Sequence, residues 1–129
     1  MEKKEIAELF MKGIDCSQVV VGAFAEELGI TTEEAYKMSA AFVGAMIVLG
    51  LKYGHCEVEH MGQKDIMNAK RAEFLQKFQE KYAVCNCKGL LKHDISKPEE
   101  MQKILDEGLL FDFCPEVVKD SITILKEIF

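Results

Sequence analysis

Five cysteines and three histidines are the residues of this chain best equipped for chemistry. Three of the cysteines fall where the sequence predicts that helices begin. Cys16 follows Asp15 and leads into Val19, Val20, Ala23 and Phe24. Cys87 follows Asn86 and leads into Leu90 and Leu91. Cys114 precedes Pro115 and leads into Val117, Val118, Ser121, Ile122 and Leu125. A helix N-terminus presents unpaired N–H groups and partial positive charge. That setting favours a thiolate, the form that attacks disulfides and binds metals. Each of the three also lies on the apolar stripe of the helix it opens, so its side chain is expected to point inward at a helix end. Three helices of one bundle could therefore bring three sulfurs together. The competing reading is that free cysteine is a small hydrophobe, often buried for packing alone. A shared cap, phase and direction in all three favours a site.

Two further clusters carry weaker signals. Cys85 forms a Cys-x-Cys pair with Cys87, a spacing that suits two ligands on one metal but lacks the second paired motif of a zinc ribbon. The segment His55-Cys56-Glu57-Val58-Glu59-His60 could hold a transition metal through His55, Cys56 and His60. A solvated polar loop is the favoured reading there. His93, beside Asp94, reads as a helix C-terminal residue rather than a ligand. No phosphate-binding glycine loop, nucleophile elbow or HExxH helix occurs.

The elements that must position these residues all show helical spacing. Ile6, Leu9, Phe10 and Ile14 mark a first helix ending near Gly13. Asp15 is expected to cap a second, running to Leu28 and stopping at Gly29. Thr31 and Glu34 form a capping box for a third, spanning about 32–53 and apolar on most faces after Met38. Its small residues, among them Gly44, Ala45 and Gly50, let neighbouring helices approach, and it belongs in the middle of a bundle. A polar loop over 54–62 precedes a charged helix over 63–82, with a short helix near Cys87–Leu91 beyond it. Ser96 and Glu99 predict another capping box, with Pro98 in the first turn. Gly108 ends that helix, and Cys114-Pro115 opens the last one, with Phe113 packing on Val118 as a staple. The expected fold is all-α: one domain over residues 1–129, a bundle of about six helices around a central apolar helix.

Composition narrows the function classes. The chain has 129 residues, 49% hydrophobic and 29% charged, enough for a core without disulfide staples. Its net charge is −6 and Arg71 is its one arginine, a poor basis for binding nucleic acid. The longest uncharged run, Met38–Leu51, is shorter than the roughly 20 residues that a bilayer crossing needs, so the chain is not expected to be an integral membrane protein. Met1-Glu2-Lys3-Lys4-Glu5 does not read as a signal peptide, and a cytoplasmic location is expected. Thiols are kept reduced there, so five cysteines point to redox or metal chemistry more than to structural disulfides.

Several segments together carry a family resemblance. Asp15-Cys16-Ser17-Gln18 runs into Ala23-Phe24-Ala25-Glu26-Glu27-Leu28-Gly29. Gly44-Ala45-Met46-Ile47-Val48-Leu49-Gly50-Leu51-Lys52-Tyr53-Gly54 follows, then Asn86-Cys87 before Gly89-Leu90-Leu91, and finally Cys114-Pro115. Together they resemble the redox-associated C_GCAxxG_C_C family, small cysteine-motif proteins whose activity is not established. The resemblance maps the family cysteines onto Cys16, Cys87 and Cys114, and leaves Cys56 and Cys85 outside the pattern. It departs at Phe42–Val43, where the family carries a glycine-rich stretch with a Cys-Gly-Ala motif. Either the site has lost that cysteine, or a segment is missing at this junction.

The expected function is a redox-active thiol protein or a metal-binding one, with Cys16, Cys87 and Cys114 as redox thiols or ligands. A thiol-based oxidoreductase would exchange electrons with a donor or acceptor that the sequence does not identify. A transition metal or iron–sulfur cluster would need a fourth ligand, since clusters commonly take four cysteines. The alternative is a non-catalytic helical interaction module with structurally buried cysteines, whose apolar helix could serve a homodimer interface.

Overall fold

The computed structural model describes residues 1–38, 44–54, 61–84 and 86–129. Those residues form helices and turns, with no strand among them. Helix α1 covers Lys3–Met11, started by a capping box in which the Glu2 amide donates to Glu5 Oε2 at 2.6 Å. Helix α2 covers Cys16–Ala23. Asp15 caps it, and the Asp15 amide donates to Gln18 Oε1 at 2.8 Å. Gln18 Nε2 donates in turn to the Tyr36 carbonyl at 3.1 Å, tying the start of α2 to α3, Thr32–Met38.

Helix α2 ends earlier than its sequence pattern predicts. From Phe24 the backbone bonds tighten to three-residue spacing: Phe24 N–H to Val21 O, and Ala25 N–H to Gly22 O. Phe24 and Ala25 are both buried, so these turns serve the core as the helix would have done. Gly29, at φ +69°, supplies the left-handed residue that turns the chain towards α3.

Of the third helix expected over 32–53, the structure describes α3 and then α4, Gly44–Tyr53. Residues 39–43, and with them the Phe42–Val43 junction, lie outside the described residues. Helix α4 packs against α2, α8 and α5, Met61–Tyr82. Gly44 is where it meets α2: a Cβ there would lie 2.7 Å from the Ser17 carbonyl oxygen and 3.0 Å from Ser17 Cα. Helix α6, Cys87–Leu91, is capped by Asn86, whose side chain accepts from the Gly89 amide at 2.7 Å. Helix α7 covers Pro98–Asp106. Lys97, not Ser96, stands at its N-cap, because Ser96 is taken up in a turn with Asp94.

Helix α8, Leu109–Ile128, differs most from the expectation. It begins after Gly108, at φ +71°, so Pro115 lies inside the helix and Cys114 is not at a helix start. Proline is preorganised for a first turn. Here that preference yields to Leu110 and Phe113, which face a cavity and extend the helix ahead of the proline. Lys3 pairs with Asp112 at 2.7 Å and fastens this added stretch to α1. Pro115 has no N–H for the Phe111 carbonyl, which weakens the helical ladder beside Cys114. Phe113, placed within the helix, meets Tyr82 edge-on at 6.2 Å.

One hydrophobic cluster joins α1, α2, α3, α4, α5 and α8. Helix α8 shares the centre with α4. It packs against α1, α2, α4, α5 and α7, and buries Val118, Ile122, Ile124, Leu125 and Ile128. Tyr82 donates a hydrogen bond to Asp120, and Lys81 pairs with Asp120 at 2.8 Å, joining α5 to α8. Among the described residues, no helix is long and apolar enough to cross a membrane.

Candidate thiol site

Cys16 and Cys87 each occupy the first position of a helix, α2 and α6, behind an N-cap residue in extended backbone conformation. Cys114 sits in the sixth position of α8, counting from Leu109. All three line one cavity of about 510 Å³. Its floor is buried: Val20 of α2, Gly44 of α4, Phe74 and Phe78 of α5, Ile104 of α7, and Val118 of α8. Its rim includes exposed Gly13, Asp15, Cys16 and Ile95. Cys87 and Cys114 are half-buried within it. Ser121, on the floor, has its hydroxyl occupied by donation to the Val117 carbonyl at 2.9 Å.

The three thiols influence one another. Burial pushes Cys16 up from its ordinary value, and negative charge on Cys87 pushes it further. The Ser17 amide and the Cys16 amide oppose this as donors to the thiolate, while the charge of Asp15 raises it. Although Cys16 is solvent-accessible, protein walls surround it on the cavity side, and this partial desolvation dominates. Burial likewise raises Cys87, against its own backbone amide. Cys114 is pushed up to about 12, by burial first and then by charge on Cys16 and Cys87. No amide donor lowers it. The cause is its position: inside a helix the backbone N–H groups are spent on the ladder, whereas at the first position they are free.

This corrects the expected electrostatics. A helix start does supply donors to Cys16 and Cys87, but burial outweighs them, and Cys114 has no such start. The sequence shows capping residues and apolar phase. It does not show how much protein closes over each sulfur.

No disulfide links Cys16, Cys87 or Cys114. Among the described residues, no group of three or more His, Cys, Asp and Glu side chains is placed to hold a metal ion. Cys85, His55, Cys56 and His60 lie outside the described residues. His93 stands away from the cavity lining and pairs with Glu107 at 3.6 Å. Phe74, Phe78 and Phe113, absent from the sequence-predicted site, also line the cavity. The i, i+4 spacing of Phe74 and Phe78 marked a buried stripe; nothing in it marked a cavity.

Compared with known families, residues 14–128 match one described as "Putative redox-active protein (C_GCAxxG_C_C)". No curated protein and no solved structure matches the chain.

Proposed function

The chain belongs to the C_GCAxxG_C_C family, and on that premise we propose that it is a thiol-based oxidoreductase in which Cys16 and Cys87 form the working dithiol. The observation that carries this reading is that both thiols, at helix first positions, receive backbone amide donors and line one cavity with Cys114. Cys16 is the attacking thiol, because it is the exposed one. Cys87 resolves the mixed disulfide. Cys114 stays protonated at neutral pH and adds no charge to the cavity.

The reaction moves two electrons. Cys16 sulfur bonds to one sulfur of a substrate disulfide, and the other leaves as a thiolate that takes up the Cys16 proton. Cys87 then attacks Cys16 sulfur and releases the second substrate thiol, which takes the Cys87 proton.

Peptide mapping after graded oxidation in a dithiothreitol redox buffer tests the assignment. The expected product is a Cys16–Cys87 disulfide, lost in Cys16→Ser and in Cys87→Ser but retained in Cys114→Ser. A trio that stays reduced across the whole range would sink the proposal.

A further inference from the structure

Every described wall of the cavity is apolar except at Asp15, Ser17, Ser121 and the three thiols. Asp15 is engaged in its capping box and Ser121 in its bond to Val117, so neither is a free recognition group. No lysine, arginine or histidine stands among the described lining residues. An anionic ligand would therefore lose its hydration without gaining a counter-charge, and would meet the carboxylate of Asp15 at the rim. Phe10, Phe74, Phe78 and Phe113 supply aromatic wall, a surface that makes favourable contacts with divalent sulfur. The cavity, at about 510 Å³, lies within the ordinary range for small-molecule sites.

Resting on the dithiol reading, we propose that the substrate of this site is a small, uncharged, largely apolar disulfide, and that the cavity discriminates against anionic disulfides. Charge complementarity carries the choice, and the reaction respects it. Two protein thiols and one R–S–S–R become one protein disulfide and two R–SH. The substrate S–S bond breaks, the Cys16–Cys87 bond forms, and both thiol protons end on the products. No net charge is created inside apolar walls. A third thiol that keeps its proton serves the same end.

The test uses two chromogenic aromatic disulfides: uncharged dithiodipyridine and dianionic dithiobis(nitrobenzoate). Rates are measured on the Cys56→Ser/Cys85→Ser chain, so that only the trio reports. High salt keeps the net charge of −6 from setting the result. The neutral-to-dianion rate ratio of the folded chain should exceed that of the denatured chain by at least about tenfold, the least that desolvating an unpaired charge implies. Leu90→Lys, a cation placed on the half-buried wall, should bring the ratio back towards the denatured value. Equal ratios in folded and denatured chains overturn the selectivity but leave the dithiol standing. A folded trio inert to both reagents overturns both.

A second measurement needs no cysteine replacement. N-phenylnaphthylamine, a neutral fluorescent probe, should bind the reduced wild-type chain and slow the reaction of the trio. Its sulfonated analogue should bind at least about tenfold more weakly. A sulfonate that binds as tightly as the neutral probe, or a neutral probe that binds without protecting the thiols, overturns the proposal.

Discussion

Burial raises the thiols of Cys16, Cys87 and Cys114 alike, but only the first two have backbone amides to set against it. The difference has a consequence in pH. Cys114 is moved from an ordinary 9.0 to about 12 in the folded chain. Between those values the folded state holds a proton that the unfolded state has released. Stability from this group is complete below pH 9 and is lost as pH rises towards 12. The urea midpoint of the wild-type chain should therefore fall more steeply above pH 9 than that of Cys114→Ala. Parallel curves would show that Cys114 does not hold its proton. At this scale the sequence was partly legible. Asp15 and Asn86 announce themselves as caps because capping is local, involving a side chain and an amide three residues on. Cys114 misled because Cys-Pro is also a local signal, and here the signal is overruled by apolar residues on its other side.

Among the elements, α2 and α4 meet most closely at Ser17, the residue next to Cys16. Gly44 lies against the Ser17 backbone so closely that a methyl group cannot be added without moving one helix. Gly44→Ala should cost about 1–3 kcal/mol, as overpacking does, and should change the alkylation rate of Cys16. Gly50, in the same helix, has nothing within 4 Å of where its Cβ would be. Gly50→Ala should instead gain about 0.5–1 kcal/mol, the ordinary helix-propensity difference. Opposite signs in urea denaturation would verify that α4 is held by close approach at Gly44 and not at Gly50. That small residues permit tight packing was readable from the sequence; which of them is in contact was not. The limits of α2 and α8 were misread for a related reason. Periodicity tells which face of a segment is apolar, but Phe24 and Ala25 reach the core from a turn, and Leu110 and Phe113 face the cavity from an added stretch of helix.

At the scale of the molecule, α8 divides the protein's labour along its length. Its second half buries Ile122, Ile124, Leu125 and Ile128 in the core, while its first half presents Leu110, Phe113, Cys114 and Val117 to the cavity. Leu125→Ala, at a fully buried position, should cost about 2–5 kcal/mol. Leu90→Ala, on the half-buried cavity wall, should cost about 1.5 kcal/mol or less, since less apolar surface is at stake. Similar losses in thermal denaturation would contradict the division. An all-α bundle was legible throughout the chain because helical periodicity repeats in every segment. The cavity was not, because a space between helix ends depends on which ends are neighbours. The close contact at Gly44 also bears on how such a protein can evolve. Gly44 is the first residue of α4, and it is already cavity floor beside Ser17. A side chain at Gly44 would therefore press on the thiol chamber and on the α2–α4 contact at once. The chamber and the bundle are thus not free to evolve separately at this position: a change that resizes the one must first be absorbed by the packing of the other.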